Sequence, residues 1–214
     1  MKNWHKYLEL VRQRPQLFTK EALEVVLDEK IISQYEKDTG RQIGVIYESP
    51  WRYLVVDLVC DSGNLFAYER VIPARLGGVA ILPVYNDNVV LIREYRHPVN
   101  QWRWEIPRGF GTVGVSAVQN ARKELFEETG INNATITHIG IIDVDSGLTS
   151  DQVDLFLAKV KKIDFSVENK EECERIEAVK LFTMPEIQRM IIDHEIVDSF
   201  TLSALYTWKL HPQH

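Results

Sequence analysis

Apolar positions along this chain follow two rhythms, and the organisation of the chain changes where the rhythm changes. Residues 3–13 place Trp4, Tyr7, Leu8 and Val11 at helical spacing, and Arg14-Pro15 ends the pattern. Residues 19–39 carry a second helical pattern, opened by Thr19 and closed near Gly40. From Ile43 the period shortens. Val45 to Tyr47, Tyr53 to Cys60 and Leu65 to Ile72 are rich in β-branched and aromatic residues, with a turn at Asp61-Ser62-Gly63-Asn64. The chain therefore divides into a helical extension (1–42), an antiparallel sheet (43–75) and a main domain (76–214).

In the main domain, Gly77 to Pro83 and Asn88 to Tyr95 read as strands joined by a turn at Asn86-Asp87-Asn88. Ile136 to Val144, Val153 to Val160 and Glu177 to Phe182 are further strands, and Pro185 to Asp193 and Ser199 to Leu210 are helices. The best-marked element lies between them. Ser116 with Gln119 three residues later forms a capping-box pattern, and Gly130 stands where a left-handed residue would end the helix. On that helix Val118, Ala121 and Leu125 share an apolar arc, and Glu124, Glu127 and Glu128 share a neighbouring arc roughly 100° wide. Crowding three carboxylates near a helix C-terminus is unfavourable, through like-charge repulsion at i,i+4 and through the helix dipole. A divalent cation reverses both effects, and hard oxygen ligands suit Mg²⁺ or Mn²⁺. The same cluster alone also fits a solvated acidic face.

Composition narrows the partners. The 214 residues are 45% hydrophobic and 26% charged, ordinary values for a globular protein. A net charge of −6 argues against general binding to nucleic acid or anionic membranes. Cys60 and Cys173 lack metal-ligand spacing and fit reduced thiols in a cytoplasmic setting. The polar N-terminal stretch has no signal-peptide core, and no apolar run approaches membrane-spanning length.

The stretch Gly109 to Ile131, GFGTVGVSAVQNARKELFEETGI, resembles the Nudix box: Gly, five residues, Glu, seven residues, then Arg-Glu-apolar-x-Glu-Glu-x-Gly-apolar. Gly109, Glu124, Leu125, Glu127, Glu128, Gly130 and Ile131 match in register. Val115 stands at the first acidic position and Lys123 at the Arg position. In the family those two residues tie the loop to the helix, so the departures bear on loop rigidity more than on metal binding. The resemblance implies an α/β fold, the Nudix α/β/α sandwich with a mixed sheet, here preceded by the helical segment and the antiparallel sheet. It also implies Mg²⁺ or Mn²⁺ held by Glu124, Glu127 and Glu128, with Glu105 and the backbone carbonyl of Arg108 completing the set.

Other segments are similar to the ADP-ribose and nucleoside-diphosphate-sugar branch of that family. Its N-terminal sheet joins two subunits and supplies aromatic contacts, which implies a homodimer. It also makes Tyr47, Trp51, Arg52 and Tyr68 substrate candidates, although sheet packing explains any one of them equally well. Arg93 and Arg96 are expected to share a strand face and to bind a diphosphate in bidentate fashion; an ordinary ion-paired strand is the alternative. Residues 145–151 resemble a Ser-Pro-Gly-x-Thr loop, with Ser146 in place of Pro and Asp151 as its acid, and Asp198 resembles the start of a final helix beneath the site. In the charged run 168–175, Glu171, Glu172 and Glu174 are candidates for activating water, and the run also fits a solvated loop.

The expected catalytic groups are thus Glu127 and Glu128 with Glu171 or Glu172. The expected reaction is Mg²⁺-dependent hydrolysis of a nucleoside diphosphate derivative such as ADP-ribose. Dinucleoside polyphosphates, NADH or capped RNA are alternative substrates, and a nucleotide-sensing module or an interaction module built on residues 1–40 are alternatives of another class.

Overall fold

The computed structural model describes residues 2–163, 165 and 175–210. Two compact units emerge: one holds the residues up to Arg75 together with Asp145–Asp151, the other holds Leu76–Val144 with the chain from Gln152 onward. Among the described residues no helix is long and apolar enough to cross a membrane.

The first unit contains α1 (Lys2–Gln13), β1 (Glu24–Val25), α2 (Glu29–Thr39), β2 (Gly44–Glu48), β3 (Arg52–Asp61) and β4 (Asn64–Pro73). β3 is its spine. β4 lies antiparallel along one edge of β3, and β2 and β1 share the other. Ser62 and Gly63 both take positive φ, 50° and 90°, which is the twist a two-residue hairpin turn requires. Because side chains alternate across a strand, Val55 meets Tyr7 and Leu10 of α1 while Val56 and Leu58 meet Ile32 of α2. Beneath α1 lies a polar knot. Buried Asp57 accepts the Tyr7 hydroxyl hydrogen bond and pairs with Arg70 Nε at 2.6 Å. Burial, then the Asp57 charge, push the ionisation of Tyr7 far above its ordinary range, so the hydroxyl stays a donor.

The helix expected over 19–39 is shorter than its pattern. It begins at Glu29, where the Asp28 carboxylate caps the backbone N–H groups of Lys30 (2.8 Å) and Ile31 (3.2 Å). Upstream, Glu24 and Val25 pair with Cys60 and Val59, and the Val26 N–H reaches the Leu58 carbonyl. A sheet edge with free hydrogen-bonding groups outcompetes helix for the β-branched pair Val25-Val26. Thr19 caps nothing; its hydroxyl donates back to the Gln16 carbonyl.

The second unit is the α/β/α sandwich with a mixed sheet. Its elements are β5 (Gly78–Tyr85), β6 (Asn88–Arg96), β7 (Gln101–Glu105), β8 (Arg108–Gly109), α3 (Ala117–Thr129), β9 (Ala134–Asp143), β10 (Gln152–Val160), β11 (Ile176–Phe182), α4 (Met184–Ile192) and α5 (Ser199–Leu210). The order β11-β6-β5-β10-β9 is antiparallel except for β5 beside β10, which run parallel. Ala80, Leu82, Leu91 and Leu155 face α4 and α5. Val79, Ile81, Val90 and Phe156 face Ala121 and Leu125 of α3. Each such large apolar side chain contributes about 1.5–3 kcal/mol by burial.

One irregularity positions the rest. β5 and β6 pair only beside their turn, at Val84–Val89 and Tyr85–Asn88, where Asn86 and Asp87 take positive φ. Beyond it they part, and β7 pairs with β6 while β8 pairs with β5. The segment from Gln101 to Gly109 is thereby wedged between two central strands. The loop that follows is equally confined: a Cβ on Gly111 would lie 1.6 Å from the Leu76 carbonyl oxygen. Gly111→Ala should therefore cost at least about 2 kcal/mol of unfolding free energy in a denaturant titration, because backbone, not a flexible side chain, must move.

Candidate active site

α3 is set by its ends. Ser116 Oγ accepts the Gln119 N–H and Gln119 Oε1 accepts the Ser116 N–H, the full capping box. Gly130 closes the helix at φ 77°, its N–H on the Phe126 carbonyl. The apolar arc seats the helix on the sheet, and this drags the acidic arc inward: Glu124 is 6% exposed and Glu128 1%, while Glu127 stays at the rim. A buried carboxylate carries a desolvation cost of several kcal/mol unless something meets its charge.

The surroundings do so piece by piece. Arg108 N–H donates to Glu128 Oε2 at 3.2 Å. The Glu124 carboxyl lies against Gly109, where a Cβ would sit 2.1 Å from its carbon, so the missing side chain is what gives this carboxylate room. Lys123 Nζ reaches Glu127 Oε2 at 2.7 Å and Glu124 Oε1 at 3.3 Å. Burial would lower the Lys123 ammonium, but Glu127 and Glu124 outweigh it and hold it above its ordinary range.

A second carboxylate group lies on the same sheet face. Glu105, 1% exposed, receives the Arg96 guanidinium through Nε at 2.8 Å and through Nη2. Arg96 Nη1 also contacts Glu94 Oε1 at 2.9 Å. Burial opposes the charge of Arg96, yet Glu105 and Glu94 leave its pKa raised. Arg108 bridges onward, 3.7 Å from both Glu105 Oε1 and Asp198 Oδ1, with its guanidinium 4.3 Å from the Phe200 ring centre. Asp198 caps α5 by accepting the Thr201 N–H at 2.9 Å, and Thr201 Oγ1 accepts the Ile106 N–H at 3.0 Å. The start of α5 thus fixes the backbone next to Glu105.

Not every sequence expectation is met in place. Arg93 and Arg96 do not share a face. They are three residues apart on a strand of period two, so Arg96 joins Glu94 and Glu105 while Arg93 turns to Glu177 (2.5 Å) and the Trp102 ring. Tyr47, Trp51, Arg52 and Tyr68 lie in the first unit. Tyr47 is exposed, Arg52 pairs with Asp151 at 3.3 Å, Trp51 stacks under Arg75, and the Tyr68 hydroxyl donates to the Gly147 carbonyl. Glu171, Glu172 and Glu174 lie outside the described residues. Sequence reasoning missed Glu94 and Asn120. The first was hidden in the strand period, and the second, one turn before Glu124, lies on the same polar arc as the glutamates and did not stand out from them. Buried Asn120 donates to the Phe110 carbonyl (2.9 Å) and accepts from the Thr112 hydroxyl (3.2 Å), so it ties the loop to α3 where Val115 and Lys123 cannot.

Among the described residues no three His, Cys, Asp or Glu side chains converge closely enough to hold a metal as they stand. The donors nonetheless fit a hard divalent cation. All are oxygen, and Glu94, Glu105, Glu124, Glu127, Glu128 and Asp198 bring more negative charge than Arg96, Arg108 and Lys123 offset. The Gly109 gap also leaves the Glu124 carboxyl beside the β8 backbone.

A family model described as NUDIX domain matches residues 74–200. An ADP-ribose pyrophosphatase of Bacillus subtilis is 26% identical over 182 residues, 84% of this chain and 91% of that protein. A methanol dehydrogenase activator of Bacillus methanolicus is 28% identical over 181 residues, 84% of this chain and 92% of that protein. A crystal structure of an ADP compounds hydrolase aligns with a TM-score of 0.66 at 20% identity, covering 77% of this chain and 88% of that one, a likeness of fold.

The Asn120 tie can be measured. Asn120→Ala should cost about 1–3 kcal/mol in a denaturant titration, because the Phe110 carbonyl and the Thr112 hydroxyl lose a buried partner. Unchanged stability would show that the loop is held by other groups.

Proposed function

The chain belongs to the NUDIX domain family and is a Nudix hydrolase, and on that premise we propose that it cleaves the pyrophosphate bond of ADP-ribose or a related nucleoside diphosphate sugar, with Mg²⁺ or Mn²⁺. The observation that carries this reading is the sequestering of Glu124 and Glu128 beside the Arg108-Gly109 backbone. A carboxylate withdrawn from water needs a positive partner at its oxygens, and a divalent cation is a stronger one than the N–H and ammonium groups that meet them here.

Glu124, Glu127, Glu128 and Glu105, with the carbonyl of Arg108, would hold the metal. When bound, such an ion neutralises phosphate charge and acidifies a coordinated water. Arg96 keeps Glu105 aimed by gripping its carboxylate through the guanidinium. The Asp198–Thr201 clamp keeps the backbone at Ile106 from shifting under it. Glu171 or Glu172 would take the proton of the attacking water. Contacts of Arg93, Tyr47 and Arg52 with the substrate, a homodimer built on the first unit, and a cytoplasmic site of action belong to the same proposal, on the strength of the branch resemblance. The products would be a nucleoside monophosphate and a sugar phosphate.

The direct test is product analysis with ADP-ribose, other nucleotide sugars, a dinucleoside polyphosphate, NADH and capped RNA. ADP-ribose with Mg²⁺ should give AMP and ribose 5-phosphate, a chelator should stop the reaction, and Glu127→Gln should lower turnover at least about 100-fold. Turnover that survives both chelation and Glu127→Gln would refute the reading.

A further inference from the structure

The residue that the box departures leave unexplained is Lys123. Its ammonium lies between Glu127 Oε2 (2.7 Å) and Glu124 Oε1 (3.3 Å). Helix energetics alone do not favour this arrangement. Lysine N-terminal to glutamate at i,i+4 is the poorer of the two orientations, and neighbours at i,i+1 do not face each other. What draws the ammonium there is the field of carboxylates gathered on the last turns of α3, two of them buried. Nothing calls it toward the loop either. Val115 offers no charge, and the loop is held to the helix by Asn120.

We propose that Lys123 is an exchangeable counter-cation for the divalent-ion site: it gathers Glu124 and Glu127 in the ion-free protein and is expelled to solvent when a divalent cation takes them. This rests on the metal reading above and deepens it. The geometry suits the exchange. The Lys123 side chain is 41% exposed, so its head can swing into water without disturbing the packing of Ala121 and Leu125 beneath. A lysine is the right carrier, since its charge is a compact point on a flexible stem, whereas a guanidinium fork would lock onto the carboxylates. A dication at the same oxygens doubles the opposing charge, so the exchange runs forward once the ion is abundant enough. Lys123 therefore sets the divalent-ion concentration at which the site fills.

The test is calorimetric titration with Mn²⁺ of the wild-type chain and of Lys123→Met, which keeps the stem and removes the charge. In parallel, thermal midpoints are taken in a chelator and at saturating Mn²⁺. Lys123→Met should bind Mn²⁺ roughly three- to tenfold more tightly, the scale of two partly screened ion pairs. Its midpoint should fall below wild type in the chelator, and the gap should close when Mn²⁺ saturates. A merely structural lysine predicts the opposite sign, weaker binding on its removal, and that result or equal affinity overturns the proposal. Lys123→Gln provides the same comparison should Lys123→Met not fold, and Lys123→Arg should restore the ion-free midpoint. If no form binds Mn²⁺, the metal reading itself falls, an outcome distinct from equal binding.

Discussion

Charge buried against backbone is the constraint from which the second unit is best understood. Glu105, Glu124 and Glu128 are nearly inaccessible to water, and each must be met by something other than water. The fold answers with an N–H from Arg108, a guanidinium from Arg96 and an ammonium from Lys123. The first of these reaches Glu128 because the Arg108-Gly109 backbone passes close to α3, and a Cβ at 109 would meet the Glu124 carboxyl there.

The close pass depends in turn on the way the central sheet divides. Two neighbouring strands that stayed paired along their length would leave no room for β7 and β8. Because β5 and β6 hold together only at their turn, the intervening segment completes both ladders and satisfies its own polar backbone there. A site built on ladder positions rather than on a free loop holds its side chains firmly. The clamp from Asp198 and Thr201 then adds the other helical layer to the same support.

What could be seen in the sequence was what local chemistry alone decides. The capping box and Gly130 marked α3, and Ser62-Gly63 and Asn86-Asp87 marked two hairpins, because those backbone conformations suit few residue types. The α/β/α sandwich was implied by the resemblance of the 109–131 stretch to the Nudix box. Decisions made by distant partners were not visible. Val25-Val26 left the helical pattern because β3 had an edge to offer, which no window around residue 25 contains. Arg93 and Arg96, three residues apart on a strand of period two, face opposite sides, a separation the sequence spacing itself contains. Asn120 shares the arc of Glu124 and Glu127, so nothing in the helical pattern set it apart, and its role needed the loop to fold back over it.

Far from these carboxylates, the knot of Tyr7, Asp57 and Arg70 has its own implication. An extension that merely leaned on the sheet through apolar contacts could be trimmed by a protease or lost in evolution at modest expense. This one donates a hydroxyl to an acid sealed inside β3, and Arg14 just beyond it donates to the Pro73 and Ala74 carbonyls at the far end of the sheet. Amputating α1 would strand an anion short of one donor, so the leading helix is an integral rivet of its unit and not a detachable tail.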